Sequence, residues 1–294
     1  MTHDIRAQAI ALYDRFTHEG MERRSFMARM VALAGSAAAA EVLIASIAAD
    51  PAAAAIVPAD DKRLRTGMTS LLGPLSGMPK YSAYFAEPVA KARESTVMVV
   101  HENRGLNEHT RDVARRLALA GYYAVAPDFL SPFGGTPADQ DAARTAIGKL
   151  DVGESVRHAV AMLGEFRAHL DGGPRVGAVG FCWGGAFVNR LAVAAGDKLD
   201  AGVSYYGPAP DPAEAAKVQA PLMIHLAGLD DRVNRTAYPW ITALRQAGKR
   251  VTYHGYDNVH HAFNNDTSAE RYNKEAAELA WRRTLRFFAR HLKG

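Results

Sequence analysis

Cysteine is all but missing from this chain: Cys182 is the single one in 294 residues. No intramolecular disulfide can form, so the fold must rest on its core. With 48% hydrophobic residues over this length, no cross-link or structural metal is required. Cys/His clusters at metal-ligand spacing are missing too. His260 and His261 are neighbours in the chain, and neighbours do not share a helical face, so nothing here predicts a zinc site. Charge of one sign does not dominate: the formal net charge is +4, and the basic residues are scattered or lie on the C-terminal stretch from Arg282 to Lys293, as on a solvated helical face. There is no basic stripe interleaved with aromatics, so nucleic acid is not an expected partner. Repeats are lacking as well. Beyond the N-terminal region no segment has the ~20 uninterrupted apolar residues of a membrane span.

The N-terminus is the compositional anomaly, and residues 1–60 are read as an extension ahead of a single domain at 61–294. Ile5, Ala9, Leu12, Tyr13 and Phe16 recur at helical spacing, which predicts an amphipathic helix over residues 1–20. Arg23-Arg24-Ser25-Phe26-Met27 follows, then an alanine-rich apolar run from Met30 to about Ala55. An Arg-Arg pair before small apolar residues resembles a twin-arginine export signal, which implies a periplasmic location. The competing reading is a retained helical arm packed on the domain in a cytoplasmic protein, and Glu41 and Asp50 inside the apolar run favour it.

From residue 61 onward strands alternate with helices. Thr96 to Glu102 is a continuous apolar run with polar residues at its end, as a fully buried central strand reads. Strands are also expected at 81–85, 122–129, 175–181, 201–206, 222–227 and 251–256. Helices are expected at 107–120, 138–148, 152–170, 184–195, 235–247 and 268–292. The alternation predicts a mostly parallel sheet covered on both faces, with ligands at the carboxyl ends of its strands.

Gly180-Phe181-Cys182-Trp183-Gly184-Gly185 lies between a predicted strand and a predicted helix and has the form G-x-nucleophile-x-G. A turn that sharp leaves no room for side chains two residues before and after the nucleophile. It lifts the sulfur to a helix N-terminus, where the dipole favours thiolate and oxyanion. The N–H of Trp183 would face the oxyanion. A cysteine nucleophile needs a histidine, and the histidine an orienting carboxylate. Both follow in chain order. Gly228-Leu229-Asp230-Asp231-Arg232-Val233 offers two acids, of which the G-x-D spacing favours Asp230. Asp257-Asn258-Val259-His260-His261-Ala262-Phe263 offers two histidines.

Together with Ser204-Tyr205-Tyr206-Gly207 and His101-Glu102-Asn103-Arg104-Gly105-Leu106-Asn107, these segments resemble the dienelactone hydrolase family of α/β-hydrolases over about residues 80–292. The resemblance implies an α/β-hydrolase fold and hydrolysis of a lactone or ester, with no cofactor. It maps the family triad onto Cys182, Asp230 and His261. It makes Glu102 the acceptor of the thiol proton, with plain pairing to Arg104 as the alternative role. The N–H of Asn103 becomes a second oxyanion donor, and Arg104 and Tyr206 become substrate-binding residues. Family members that hydrolyse dienelactone carry an arginine four residues after the catalytic histidine. Here that position is Asn265, and Arg104 or Arg144 would have to replace the cation. A general short-chain esterase and a catalytically weak binding protein of the same fold are the competing functions. The partner is a small ester or lactone, and a homo-oligomer is compatible with all of this.

Overall fold

The computed structural model describes residues 3–48, 55–73, 76–90, 95–169 and 175–293. Eight strands form one sheet: β1 (Leu64–Leu72), β2 (Lys80–Pro88), β3 (Thr96–Val100), β4 (Tyr123–Pro127), β5 (Val176–Phe181), β6 (Ala201–Tyr205), β7 (Leu222–Ala227) and β8 (Val251–Tyr256). Their spatial order is β1-β2-β4-β3-β5-β6-β7-β8. The β1/β2 and β2/β4 pairs are antiparallel, and from β4 to β8 every pair is parallel.

Period-two alternation divides the central strands between two cores. In β3, Val97 and Val99 enter the core under α4 (Glu108–Leu119) and α9 (Lys274–Leu292), where Val113, Leu117 and Phe288 meet them. Met98 and Val100 enter the opposite core, closed by α6 (Val152–His169), α7 (Trp183–Ala194) and α8 (Asp231–Gln246) through Leu163, Leu191 and Trp240. All five β3 residues are buried. Each such Val or Leu contributes about 1.5–3 kcal/mol, which is why a chain without cross-links holds this sheet.

The boundaries differ from expectation at informative places. The sequence reading missed β1, whose residues alternate poorly; it is an edge strand with Met68 exposed. The strand β3 stops at Val100, two residues short, because His101 and Glu102 turn out of the sheet into the site. Helix α9 begins at Lys274 rather than 268, where the Asn273 side chain caps it by accepting from the Ala276 N–H. Helix α8 begins at Asp231, four residues early, because Asp230 is its cap. Between β4 and α6 lies α5 (Gln140–Ile147), as expected.

The N-terminal residues form three helices, α1 (His3–His18), α2 (Arg23–Ala34) and α3 (Ala37–Ile47). Gly35 takes the left-handed conformation that ends α2, and Ser36 caps α3. The alanine-rich run is thus broken into two helices bent by 105°. Among the described residues no single helix is long and apolar enough to cross a membrane. The arm has its own small core, with Phe16 stacked on Phe26 at 4.2 Å. It is tied to the mouth of the sheet domain. Arg271 donates to the Ile47 carbonyl and pairs with Asp14, and Ser268 Oγ donates to the same carbonyl. Arg144 donates to the Phe16 carbonyl and lies over that ring at 4.1 Å. The part of the run from 49 to 54 lies outside the described residues.

Candidate active site

The chain leaves β5, turns at Cys182 and enters α7. The turn forces Cys182 into positive φ (55°), a conformation that costs a non-glycine residue about 1–3 kcal/mol and is held only by its surroundings. Those surroundings are backbone. The Cys182 N–H donates to the Tyr205 carbonyl, and its own carbonyl accepts from Ala186 N–H. A Cβ on Gly180 would lie 2.1 Å from the Gly184 carbonyl oxygen, and one on Gly184 2.3 Å from that of Val100. The two glycines flanking Cys182 are therefore required by close approach of backbone.

His261 and Asp230 meet at this turn. Asp230 Oδ2 and His261 Nδ1 are 2.5 Å apart, both residues are buried, and Asp230 also accepts from Val233 N–H. Asp231 is exposed on the first turn of α8. Burial opposes a charge on His261, but Asp230 and the Cys182 sulfur outweigh it and hold the imidazole up at about 10. For Asp230 burial pushes upward, and the imidazole pulls the carboxyl below its ordinary 3.8. The second ring nitrogen, Nε2, is buried, and the Cys182 sulfur supports the charged imidazole there.

Glu102 is buried, with Oε2 accepting from Asn265 Nδ2 at 2.8 Å and Oε1 unpartnered. The residue standing where an arginine was expected therefore holds the glutamate. Arg104 turns to Gln140 at 2.9 Å and to the Tyr13 hydroxyl at 3.1 Å. Glu102 is thus held by Asn265, while Arg104 serves the arm. Tyr206 is buried at φ 37°, with its ring edge-on to His261 at 5.0 Å and its hydroxyl unpartnered. Trp183 stacks on His101, whose Nδ1 meets the Glu102 carbonyl and whose Nε2 accepts from Phe129 N–H. Burial keeps His101 neutral, a wall and not a titrating group.

Two spaces flank the sulfur. A cavity of about 390 Å³ is walled by Asn103, Cys182 and Trp183 on one side and by Arg144, Arg190 and Arg232 on another. Arg232 Nη2 is buried without a hydrogen-bond partner, whereas Arg144 Nε lies 3.8 Å from Asp141 Oδ1. A recess of about 30 Å³ lies between Glu102, Cys182 and His261. Arg190 and Arg232 were not singled out from the sequence, where Arg232 reads as a surface partner of Asp231.

The sequence also gave no hint of His18. The last residue of α1, it places both ring nitrogens 3.9–4.0 Å from the Cys182 sulfur and its ring edge-on to His261 at 4.8 Å. Burial, then His261 and the nearby arginines, hold it well below its usual range and therefore neutral. Among the described residues, His18, Cys182 and His261 bring three metal-type donors within 4.8 Å of one another, a cluster invisible in sequence spacing. Neither His18 nitrogen is directed at the sulfur in preference to the other, and His261 Nδ1 is already engaged by Asp230.

Residues 81–292 match the sequence profile of the dienelactone hydrolase family. The "Putative carboxymethylenebutenolidase" of Escherichia coli strain K12 is 32% identical over 260 residues, covering 83% of this chain and 94% of that protein. A protein of the same name from Azospirillum brasilense is 32% identical and covers 76% of this chain and all of its own. The crystal structure of a "Putative Dienelactone Hydrolase" from Klebsiella pneumoniae superposes with a TM-score of 0.68 at 29% identity, covering 77% of this chain and 98% of that one.

Proposed function

The chain belongs to the dienelactone hydrolase family of hydrolases, and from that membership we propose that it opens an anionic lactone, or cleaves an anionic carboxylic ester, through Cys182. The observation that carries this reading is the group of buried polar atoms near the sulfur that make no hydrogen bond: Glu102 Oε1, Tyr206 OH and Arg232 Nη2. Unpaired buried polar groups each cost about 1–3 kcal/mol, so a site that keeps three is built for a polar occupant.

In the proposed reaction Glu102 Oε1 takes the thiol proton, because a His261 imidazole held up at about 10 already carries its own. The thiolate attacks the carbonyl carbon, and the N–H groups of Trp183 and Asn103 at the start of α7 and the end of β3 stabilise the oxyanion. The tetrahedral intermediate collapses to a thioester as the leaving oxygen receives a proton from His261. A water deprotonated by His261, held by Asp230, then releases the acid and restores the thiol. Arg144, Arg190 and Arg232 on the cavity wall would hold the substrate's carboxylate, a role the relatives' name suggests for their own substrate, a carboxymethylene-bearing butenolide. The uncharged-ester reading leaves the buried Arg232 Nη2 donor without a partner.

The test is a pair of lactones differing only in a free carboxylate against its methyl ester. The wild type should favour the acid. Arg232→Gln should lower kcat/KM for the acid by roughly 10–100-fold, since a hydrogen bond to a charged group contributes about 1.5–3 kcal/mol, and should barely change it for the ester. Equal rates on both lactones would refute the anionic substrate.

A further inference from the structure

The arm does more than cover the domain. Thr17 and His18 line both spaces beside the sulfur, the cavity of about 390 Å³ and the recess of about 30 Å³. With Asn103 and Cys182 they form the boundary between these spaces, and the His18 ring stands on it at 3.9–4.0 Å from Sγ. Its position is fixed from several sides. Asn103 Nδ2 donates to the Thr17 carbonyl, Arg144 donates to the Phe16 carbonyl, and Arg271 grips Asp14 and the end of α3. His18 also lies outside the residues that match the family profile.

Acyl transfer at Cys182 assigns the two spaces different parts of a substrate. The oxyanion must face the N–H groups of Trp183 and Asn103; Asn103 lines both spaces but Trp183 lines only the larger cavity, so the acyl portion lies there. The leaving oxygen must reach His261 Nε2 to take its proton, so the alcohol portion enters the recess with Glu102 and His261. A void needs roughly 10–15 Å³ to hold a water, so the recess of about 30 Å³ has room for about two. A methyl group or the edge of a small lactone ring fits there, and a butyl or benzyl group does not.

Resting on the proposed ester or lactone hydrolysis, we infer that His18 is a specificity-determining residue: its ring closes the alcohol side of the site and restricts the leaving group to methanol size or to the tethered oxygen of a small lactone. The arm thereby forms part of the active site, and its role is steric and not acid–base, since His18 is neutral and shares its distance to sulfur between both nitrogens.

The experiment uses the full-length chain and esters of one acyl group with methanol, ethanol, butanol and benzyl alcohol. Selectivity is read as the ratio of kcat/KM values, so a general change in activity divides out. The wild type should fall along the series, with methyl over butyl at least about 10-fold. His18→Ala should bring that ratio near one by raising the bulky esters. His18→Phe, which keeps a ring, should preserve it. A flat series in the wild type overturns the inference without any variant. So does a His18→Ala ratio equal to the wild type's, or a His18→Phe that behaves like His18→Ala. If no ester in the series is hydrolysed in a Cys182-dependent manner, the underlying reading fails and the inference with it. That outcome is distinct from hydrolysis with unchanged selectivity, which removes the inference alone.

Discussion

The hydrogen bond between Asp230 and His261 ties two residues 31 apart in sequence into one titrating unit. Asp230→Asn should lower turnover by roughly 10²–10⁴-fold, because the amide no longer fixes the imidazole tautomer. Asp231→Asn, on the exposed first turn of α8, should change it little. A similar loss in both would leave the acid elsewhere. The pair also sets a pH window for stability. His261 is raised to about 10, so its contribution is complete below its ordinary 6.5 and is lost as pH climbs through about 10. Asp230 is lowered, so its contribution is present above its ordinary 3.8 and is lost as pH falls through the depressed value. Melting temperature against pH should therefore decline on both flanks in the wild type and flatten in Asp230→Asn. Curves of identical shape would show that the pair is not charged. Glu102 has its own test. With Oε2 held by Asn265 and Oε1 unpartnered, Glu102→Gln can keep the first hydrogen bond only as a poorer acceptor and loses the proton acceptor altogether. Its pre-steady-state acylation should slow while substrate binding persists. An unchanged acylation rate with a lowered melting temperature would assign the residue to structure.

At the scale of elements, what was legible in the sequence depended on how fully a segment is buried. β3 and β5 are buried along their whole length and read as apolar runs; β1, on the sheet edge with three exposed residues, carries no such signal. The G-x-C-x-G turn was legible because its glycines answer a backbone constraint inside one short segment. Gly184→Ala should cost about 1–3 kcal/mol, since its methyl would meet the Val100 carbonyl at 2.3 Å. For a domain of this length that is a fall of several degrees in melting temperature. Gly164→Ala, in α6 with nothing within 4 Å, should raise stability by up to about 1 kcal/mol. Equal effects from the two substitutions would remove the steric account of the turn. The helix starts misplaced by the sequence reading, at α8 and α9, both lie beside polar residues that serve another purpose. Asp230 caps α8 and also orients His261, and the turn before α9 supplies Ser268 and Arg271 to the arm.

On the scale of the molecule, the parallel strands bring segments from the whole chain to one edge of the sheet. Glu102 at the end of β3, Cys182 after β5, Asp230 after β7 and His261 after β8 converge because their strands run in parallel, and that order could be read along the chain. Contacts that cross the molecule could not. His18 is 164 residues from the sulfur it faces, and neither its helix nor the alanine-rich run carries any mark of an active site. Arg144 and Arg232 become cavity walls only when α5 and α8 are brought to the same cavity as Cys182. The central claim is that the Cys182 sulfur forms the covalent intermediate. Mixing the full-length protein with an activated ester, quenching in acid within the first turnover and mapping the adduct by peptide mass spectrometry tests it directly. The account predicts a thioester on Cys182, lost in Cys182→Ala together with turnover. An adduct on another residue, or turnover by Cys182→Ala at the wild-type rate, would contradict it.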